Sequence, residues 1–219
     1  SRGLGDVYKR QSYKRKNTFM EWIQPTSSTM LSLLIGLGLS ASCGFRNYVP
    51  PFIISLAALG GHLELSENFA WMATLPAVLA LGTAVALEVA AYYLPLVDNL
   101  LDTIAAPAAV VAGAIVSASV FTDMSPVMKW SLALIAGGGA AGIVHASMAV
   151  LRGGSTATTG GLGNPLISTV ELGGAVGASI LSLLVPGLFL VAVLILAGAG
   201  VRIWMQRRAN VLPASGHSV

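Results

Sequence analysis

The chain has 219 residues, of which 55% are hydrophobic and 10% are charged, and its formal net charge at pH 7 is +3. Because soluble domains average about 25% charged residues, this composition excludes an ordinary soluble domain and predicts an all-α, polytopic helical membrane protein. The single cysteine, Cys43, excludes an internal disulfide and a cysteine-based metal site, and the small net charge is not a signature of nucleic-acid binding.

The N-terminal segment 1–28 precedes the first apolar run, and we set it apart from the membrane domain. Its first eleven residues, SRGLGDVYKRQ, resemble a translated sequencing adaptor, and we expect Met20 to be the initiator. We expect the transmembrane domain to cover 29–206 and the tail 207–219 to be disordered in the cytoplasm.

Apolar runs separated by glycine, proline or charged residues predict about six transmembrane spans. The predicted spans are 29–60, 70–94, 104–121, 129–151, 165–185 and 187–206. With the N-terminus inside, the lysines and arginines between the spans and at both ends, Arg152 among them, fall on the cytoplasmic side. Only Lys129 falls outside, where we expect a solvated loop. The sequence therefore predicts that both termini are cytoplasmic.

The first span is too long for one straight crossing of the membrane. From Met30 to Leu59 a helix would run about 45 Å at 1.5 Å per residue, whereas the hydrocarbon core is about 30 Å thick. Gly44, Pro50 and Pro51 mark the place where this helix would break or kink. A steeply tilted, kinked helix and a pair of half-helices are the two alternatives.

The two halves of the chain resemble each other in pattern. LSLLIGLGLSAS at 31–42 is similar to SLALIAGGGAAG at 131–142, and each is followed by a Gly/Pro-rich break and a proline-started helix with one glutamate. This predicts inverted halves, 29–121 and 129–206, of three spans each, as in many secondary transporters. Chance similarity between Ala/Gly/Leu-rich helices is the alternative.

Small residues recur at a spacing of four, which lets helix backbones approach closely. The positions are Gly36, Ser40 and Gly44, then Gly138 and Gly142, then Gly173 and Gly177. The run GGGAAG at 137–142 matches G-x-G-x-x-G, but no strand precedes it, so we interpret it as a packing surface rather than a dinucleotide site.

Three charged residues lie within the predicted spans: Arg46, Glu88 and Glu171. An ionised group at mid-membrane is unfavourable by about 2.5–3.5 kcal/mol on insertion scales, so each implies pairing, water access or protonation. Two carboxylates and one guanidinium sum to −1, which favours a bound cation or a protonated glutamate, because burial favours the neutral carboxyl form. The alternative is an Arg46–glutamate ion pair that only stabilises the helix bundle.

Two further polar segments flank these residues at the cytoplasmic edge. Asp98 and Asp102, four residues apart, would form either an acidic vestibule for cations or a plain helix terminus with Asp102 as N-cap. The segment STATTGGLGNP at 155–165 is either an anion-binding loop before a helix N-terminus or a plain linker. It lacks the lysine of a P-loop, so nucleotide binding is not expected.

These observations predict one polar site at broken helices near the middle of the membrane. Its substrate- or ion-binding residues are Arg46, Asn47, Glu88, Asp98, Asp102, Thr159, Asn164 and Glu171. Its helix breaks are at Gly44, Pro50, Pro51, Gly160, Gly161, Gly163 and Pro165. In this prediction the break at Arg46 and Asn47 meets the Gly-rich break before Asn164. His145 has no evident catalytic partner, so we expect no enzyme activity, no metal and no cofactor.

Three sequence blocks resemble, in order, a bacterial integral-membrane family called domain of unknown function 4126. They are GLGLSASCGFRNYVP, LEVAAYYLPLVDNLLDTIAAP and STATTGGLGNPLISTVE, and the resemblance covers roughly residues 31–205. It implies a multi-pass protein of the bacterial inner membrane but supplies no reaction. The most family-like positions are Gly44, Arg46, Pro50, Glu88, Pro95, Asp98, Asp102, Thr159, Gly160, Gly161, Gly163, Asn164, Pro165 and Glu171.

We therefore predict a small secondary transporter, or an ion- or proton-coupled permease, that binds a small ion or an anionic solute within the lipid bilayer. A homo-oligomer is compatible with this prediction, and nucleic acid is not an expected partner. The alternative function is a non-transporting membrane scaffold or accessory subunit, in which the polar cluster is a structural lock.

Overall fold

The computed structural model describes residues 29–93, 95–122 and 124–186, together with 188, 191, 195, 198, 202, 205 and 206. Side chains are described for these residues except at 95–103. The predicted N-terminal segment 1–28, the tail 207–219 and most of the predicted sixth span lie outside the described residues.

The described residues form seven α-helices and no strand, which confirms the predicted all-helical class. The helices are α1 Thr29–Cys43, α2 Val49–Leu59, α3 Leu75–Tyr92, α4 Pro95–Val120, α5 Pro126–Leu132, α6 Gly139–Thr159 and α7 Asn164–Leu184. A 3₁₀ helix, Glu67–Ala73, precedes α3, and a π-helical segment, Ala133–Gly138, joins α5 to α6.

Three helical stretches in the described part are long and apolar enough to cross a membrane: Leu75–Tyr92, Pro126–Thr159 and Asn164–Leu184. Three shorter apolar helices accompany them, at Thr29–Cys43, Val49–Leu59 and Ile104–Val120. These helices indicate membrane association. The number of six crossings and the inverted repeat stay predictions.

The first predicted span is divided into α1 and α2. The chain leaves the helix after Cys43 and enters the next helix at Val49, so the break covers 44–48. Pro50 and Pro51 lie in the first turn of α2 rather than in the break. Proline is well tolerated there, because the first backbone N–H groups of a helix have no partner within it.

Glycine allows α1 to pack closely on α6 at this break. A Cβ at Gly44 would lie 2.5 Å from the backbone oxygen of Ala141 and 2.5 Å from Cβ of Val144. The packing interpretation of GGGAAG is likewise confirmed, since a Cβ at Gly138 would lie 3.1 Å from the Val110 side chain of α4. No described residue lies within 4 Å of a Cβ at Gly173 or Gly177, so the packing predicted there is not observed.

The helices α4 and α6 are longer than predicted. The segment PLVDNLLD belongs to α4, so Asp102 lies inside a helix and its interpretation as an N-cap is wrong. α6 continues to Thr159 rather than ending at 151. The hydroxyls of Thr158 and Thr159 donate to the carbonyls of Gly154 and Ser155, both at 2.8 Å, which keeps these polar side chains compatible with helix.

The segment before α3 folds back over the end of α4. The N–H of Ser66 donates to Ser119 O at 2.7 Å and its hydroxyl donates to Ala118 O at 3.0 Å. Lys129 is buried against this segment, with Nζ 3.5 Å from Ser66 Oγ. The prediction that Lys129 is solvated is therefore wrong, because the segment that contains Ser66 lies against its side chain, and no pattern in the sequence indicates that contact.

Candidate functional site

The candidate site lies where the α1–α2 break meets α3, α6 and α7. Arg46, in the break, is 2% exposed. Its Nη2 donates to Ser168 O at 3.1 Å and lies 3.6 Å from Oε2 of Glu171. Its Nε and Nη1 have no hydrogen-bond partner in the described part of the chain. A charge from the break is thus held against the second turn of α7.

Glu171 is held by a second arginine, Arg152 of α6. The Nε of Arg152 donates to Oε1 of Glu171 at 2.9 Å, and its Nη2 binds Oε2. Both side chains are buried. Two parallel N–H···O bonds of this kind are among the strongest hydrogen bonds in proteins, and they fix the orientation of both groups.

Glu88 of α3 binds the backbone of the break. Its Oε1 accepts the N–H of Asn47 at 2.8 Å, and its Oε2 accepts the N–H of Tyr48 at 3.3 Å. Tyr48 is the N-cap residue of α2 and Asn47 precedes it, so the carboxylate lies beside the N-terminal end of a helix, where negative charge is favoured. Glu88 therefore helps to cap α2 from another helix.

Tyr92 lies one turn beyond Glu88 on α3 and contacts both arginines. The guanidinium carbon of Arg46 is 3.9 Å from the ring centroid, and that of Arg152 is 4.4 Å from it. Both distances are within the range of cation–π attraction. The attraction to the ring thus partly offsets the repulsion between two guanidinium groups that lie close together.

Two cavities border the cluster, and Tyr92 lines both. One, of about 430 Å³, lies between α6 and α7 and contains both members of the Arg152–Glu171 pair. Its other lining residues are Phe45, His145, Met148, Ala149, Gly153, Thr156, Ala157 and Asn164. The other cavity, of about 340 Å³, lies between α3 and α4 and is mostly apolar apart from Asn47 and Glu88.

Comparison of the chain with models of protein families shows the family to which it belongs. The family model described as Domain of unknown function (DUF4126) matches residues 33–206. The chain belongs to the DUF4126 family. Comparison with curated proteins finds no match, and comparison with solved structures finds none either. The family match covers the whole candidate site of this DUF4126 protein, and it assigns no activity to it.

Four of the predicted site residues meet in the cluster: Arg46, Asn47 through its backbone, Glu88 and Glu171. Arg46 faces Glu171, one of the two glutamates with which it was expected to pair, but it does so against Ser168 and Glu171 in α7 rather than at the Gly-rich turn before Asn164. The break of α1–α2 therefore meets the body of a helix and not a second break.

The other predicted residues lie around the α6–α7 turn or outside the described side chains. Asn164 lines the larger cavity, and its Nδ2 is 3.2 Å from Thr156 Oγ1. Thr159 accepts the N–H of Gly163 at 3.0 Å in the last turn of α6. The turn itself is Gly160–Gly163, with φ of +63° at Gly160 and +88° at Gly161, and Pro165 lies in the first turn of α7. Asp98 and Asp102 are helical, but their side chains are outside the described residues.

Sequence reasoning missed Arg152 and Tyr92. The sequence pattern predicts Arg152 in a cytoplasmic loop, because the Ser/Thr/Gly run after it is typical of a linker. The spacing of the two residues could have revealed Arg152. Arg152 precedes Thr159, the last residue of α6, by seven residues, and Glu171 follows Asn164, the first residue of α7, by seven, so the two lie at the same level of the hairpin. With Arg152 included, the two arginines and two glutamates of the cluster sum to zero rather than −1. Among the described residues, no group of three or more His, Cys, Asp or Glu side chains could hold a metal ion.

Proposed function

We propose that this DUF4126 protein is a small membrane transporter, a permease for an ion or small solute whose binding site is the charged cluster and the larger cavity. The observation that supports this most directly is the broken helix α1–α2, whose break carries Arg46 into a cluster with Arg152, Glu171 and Glu88 beside a cavity of about 430 Å³. Broken helices and buried charges in membrane domains mark substrate and ion pathways.

Within this proposal the protein spans the bacterial inner membrane six times, with both termini in the cytoplasm. The two halves are inverted repeats, and each contributes one glutamate, Glu88 or Glu171, to the cluster. One glutamate carries the coupling proton or cation. The protein breaks no covalent bond and uses no metal or cofactor.

The second candidate is the non-transporting scaffold or accessory subunit, and a specific observation favours it. Glu171 is bound through both oxygens by Arg152, and both oxygens of Glu88 accept backbone N–H groups. The four charges of the cluster also cancel. A cluster whose two carboxylates are satisfied to this degree would serve well as a structural lock between α1–α2 and the other helices.

Flux and labelling of the same cysteine variant would separate the two functions. Ala149 and Ala146 are both exposed on α6, but only Ala149 lines the larger cavity. The native Cys43 is fully buried, so the unmodified chain is the control for background labelling. In liposomes, we expect a membrane-impermeant maleimide to label Ala149→Cys and not Ala146→Cys, since a transporter cavity contains water and the lipid-facing surface does not.

The labelled protein then reports on transport. The permease predicts flux of at least one ion or solute from a panel, blocked when Ala149→Cys is labelled and unchanged after treatment of Ala146→Cys. It also predicts that Glu88→Gln changes the pH dependence of that flux. Absence of flux for every member of the panel, with neither cysteine labelled, would favour the scaffold.

A further inference from the structure

Two guanidinium groups share one carboxylate at the candidate site. Arg152 binds both oxygens of Glu171, whereas the guanidinium of Arg46 lies 3.6 Å from Oε2 and, within the described residues, donates one hydrogen bond, to Ser168 O. Arg46 is nevertheless 98% buried, and its Nε and Nη1 are unpartnered in the described part of the chain. Buried donors without a partner are unfavourable and call for an explanation.

The neighbours of Arg46 do not supply the missing acceptor. The oxygens of Glu88 accept the N–H groups of Asn47 and Tyr48, and neither oxygen bonds to Nε or Nη1 of Arg46. The ring of Tyr92 contacts the guanidinium 3.9 Å from its centroid, but a cation–π contact leaves the N–H groups in the guanidinium plane available. Glu171 is the nearest carboxylate that a small movement would bring into hydrogen-bond distance.

A solute in the larger cavity meets Arg152 before it meets Arg46. Arg152 and Glu171 line this cavity, together with the polar side chains of His145, Thr156 and Asn164, whereas Arg46 does not. Among its described lining residues Glu171 is the one acidic side chain. The cavity's volume of about 430 Å³ is within the usual 300–1,000 Å³ of small-molecule sites.

We propose that the larger cavity binds a small solute through a carboxylate or phosphate group, which replaces Glu171 on Arg152 while Glu171 moves to Arg46. This inference rests on the proposed transport function and names its substrate class. A guanidinium recognises both anions through two parallel hydrogen bonds, so the solute reproduces the geometry that Glu171 now has. In the exchange Glu171 approaches the guanidinium of Arg46, whose Nη2 is already 3.6 Å from its Oε2 and whose Nε and Nη1 are unpartnered in the described part of the chain.

The exchange also links the cavity to the helix break. Arg46 belongs to the segment between α1 and α2, so a new bond to Glu171 changes the contacts that hold this segment against α7. A ligand shifts a conformational equilibrium only by binding its states differently, and here the differential contact is the Glu171–Arg46 bond. Glu171 is therefore a competitor of the solute, tethered to α7.

The test measures binding of acetate, benzoate and inorganic phosphate to the purified full-length protein by calorimetry at constant ionic strength. We expect at least one of them to bind the wild type, and Glu171→Gln to bind it about tenfold tighter or more, as loss of a charged competing partner implies. Arg152→Gln should abolish binding, Arg46→Gln should weaken it, and Arg202→Gln, on an exposed helical position, should leave it unchanged. Glu171→Asp, which keeps the charge, should fold if Glu171→Gln does not, and should also bind the anion tighter.

The outcomes separate this inference from the proposed function. Weaker anion binding in both Glu171 variants, or no anion binding in any variant, would overturn the inference. If flux of a cation is then observed, the permease stands without it, whereas no flux of any kind would remove both. Binding of phosphatidylglycerol in mixed micelles, with no binding of the three soluble anions, would assign the anionic group to a lipid and overturn the soluble solute.

Discussion

Arg152 and Glu171 face each other across the hairpin of α6 and α7, each seven residues from the end of its helix at the joining turn. At 1.5 Å per residue, both lie about 10 Å along their helices from that turn. The four-residue turn Gly160–Gly163 fixes this register, because its two glycines with positive φ reverse the chain tightly. The ion pair therefore depends on the turn as well as on the two side chains.

Removing either partner of the Arg152–Glu171 pair should destabilise the protein, and the loss of stability should be larger for Glu171 than for Arg152. Glu171→Gln removes the carboxylate that faces both buried guanidiniums, whereas Arg152→Gln leaves Glu171 with Arg46 at 3.6 Å. We expect Glu171→Gln to lower the free energy of unfolding by about 3–5 kcal/mol, as for broken buried ion pairs in soluble proteins, and Arg152→Gln to lower it by less. Unfolding of the detergent-purified protein by heat and denaturant would measure both.

The double variant and a distant arginine provide the controls. Arg152→Gln combined with Glu171→Gln should lose less stability than the two single losses added together, because no buried partner of the pair is left charged. Arg202→Gln, exposed on a helix, should change nothing measurable. Additive losses in the double variant would contradict a direct coupling between Arg152 and Glu171.

The predicted helices follow from apolar runs, which composition reveals well, but the helix ends depend on local hydrogen bonds that it does not reveal. Thr158 and Thr159 read as loop residues, yet their hydroxyls bond to the preceding turn of α6 and the helix continues. The early end predicted for this helix placed Arg152 in the cytoplasm. One misplaced helix end thus excluded Arg152 from the predicted site. The predicted net charge of the cluster was therefore −1 rather than zero.

The convergence of Arg46, Glu88 and Glu171 was predictable, because isolated charges in apolar helices require partners. The pairing of Arg46 with Glu171 was among the predicted possibilities, but the bonds of Glu88 were not predictable. Glu88 binds the backbone of Asn47 and Tyr48 rather than an arginine side chain, which requires knowing that α1 and α2 separate at residues 44–48. Sequence patterns indicate which residues need partners, but the packing of the helices determines which partners they have.

Glu88 should stabilise the start of α2 from outside that helix. Glu88→Ala removes the acceptor of two backbone N–H groups, so we expect a loss of about 1–3 kcal/mol in the free energy of unfolding. Hydrogen exchange should speed up at Asn47 and Tyr48 before the rest of the protein. Glu67→Ala, at an exposed position, is the matched control, and equal exchange at Asn47 in both variants would contradict the capping role.

Substitution by alanine should change the stability of the protein in opposite directions at Gly44 and at Gly173. A Cβ at Gly44 would lie 2.5 Å from Ala141 O and 2.9 Å from the backbone nitrogen of His145, so Gly44→Ala must separate α1 from α6 and should cost about 1–3 kcal/mol. Gly173 is exposed within α7 and nothing described lies within 4 Å of its Cβ, so Gly173→Ala should stabilise the helix by about 0.5–1 kcal/mol. Thermal unfolding of the two variants would show whether the signs differ.

The ring of Tyr92, rather than its hydroxyl, should stabilise the paired guanidiniums. Tyr92→Phe keeps the aromatic face over which Arg46 and Arg152 lie at 3.9 and 4.4 Å, whereas Tyr92→Leu keeps apolar bulk and removes that face. We therefore expect the leucine variant to be less stable than the phenylalanine variant by about 1–2 kcal/mol, the range for desolvated cation–π contacts. Equal stability of the two variants in denaturant unfolding would contradict a cation–π role.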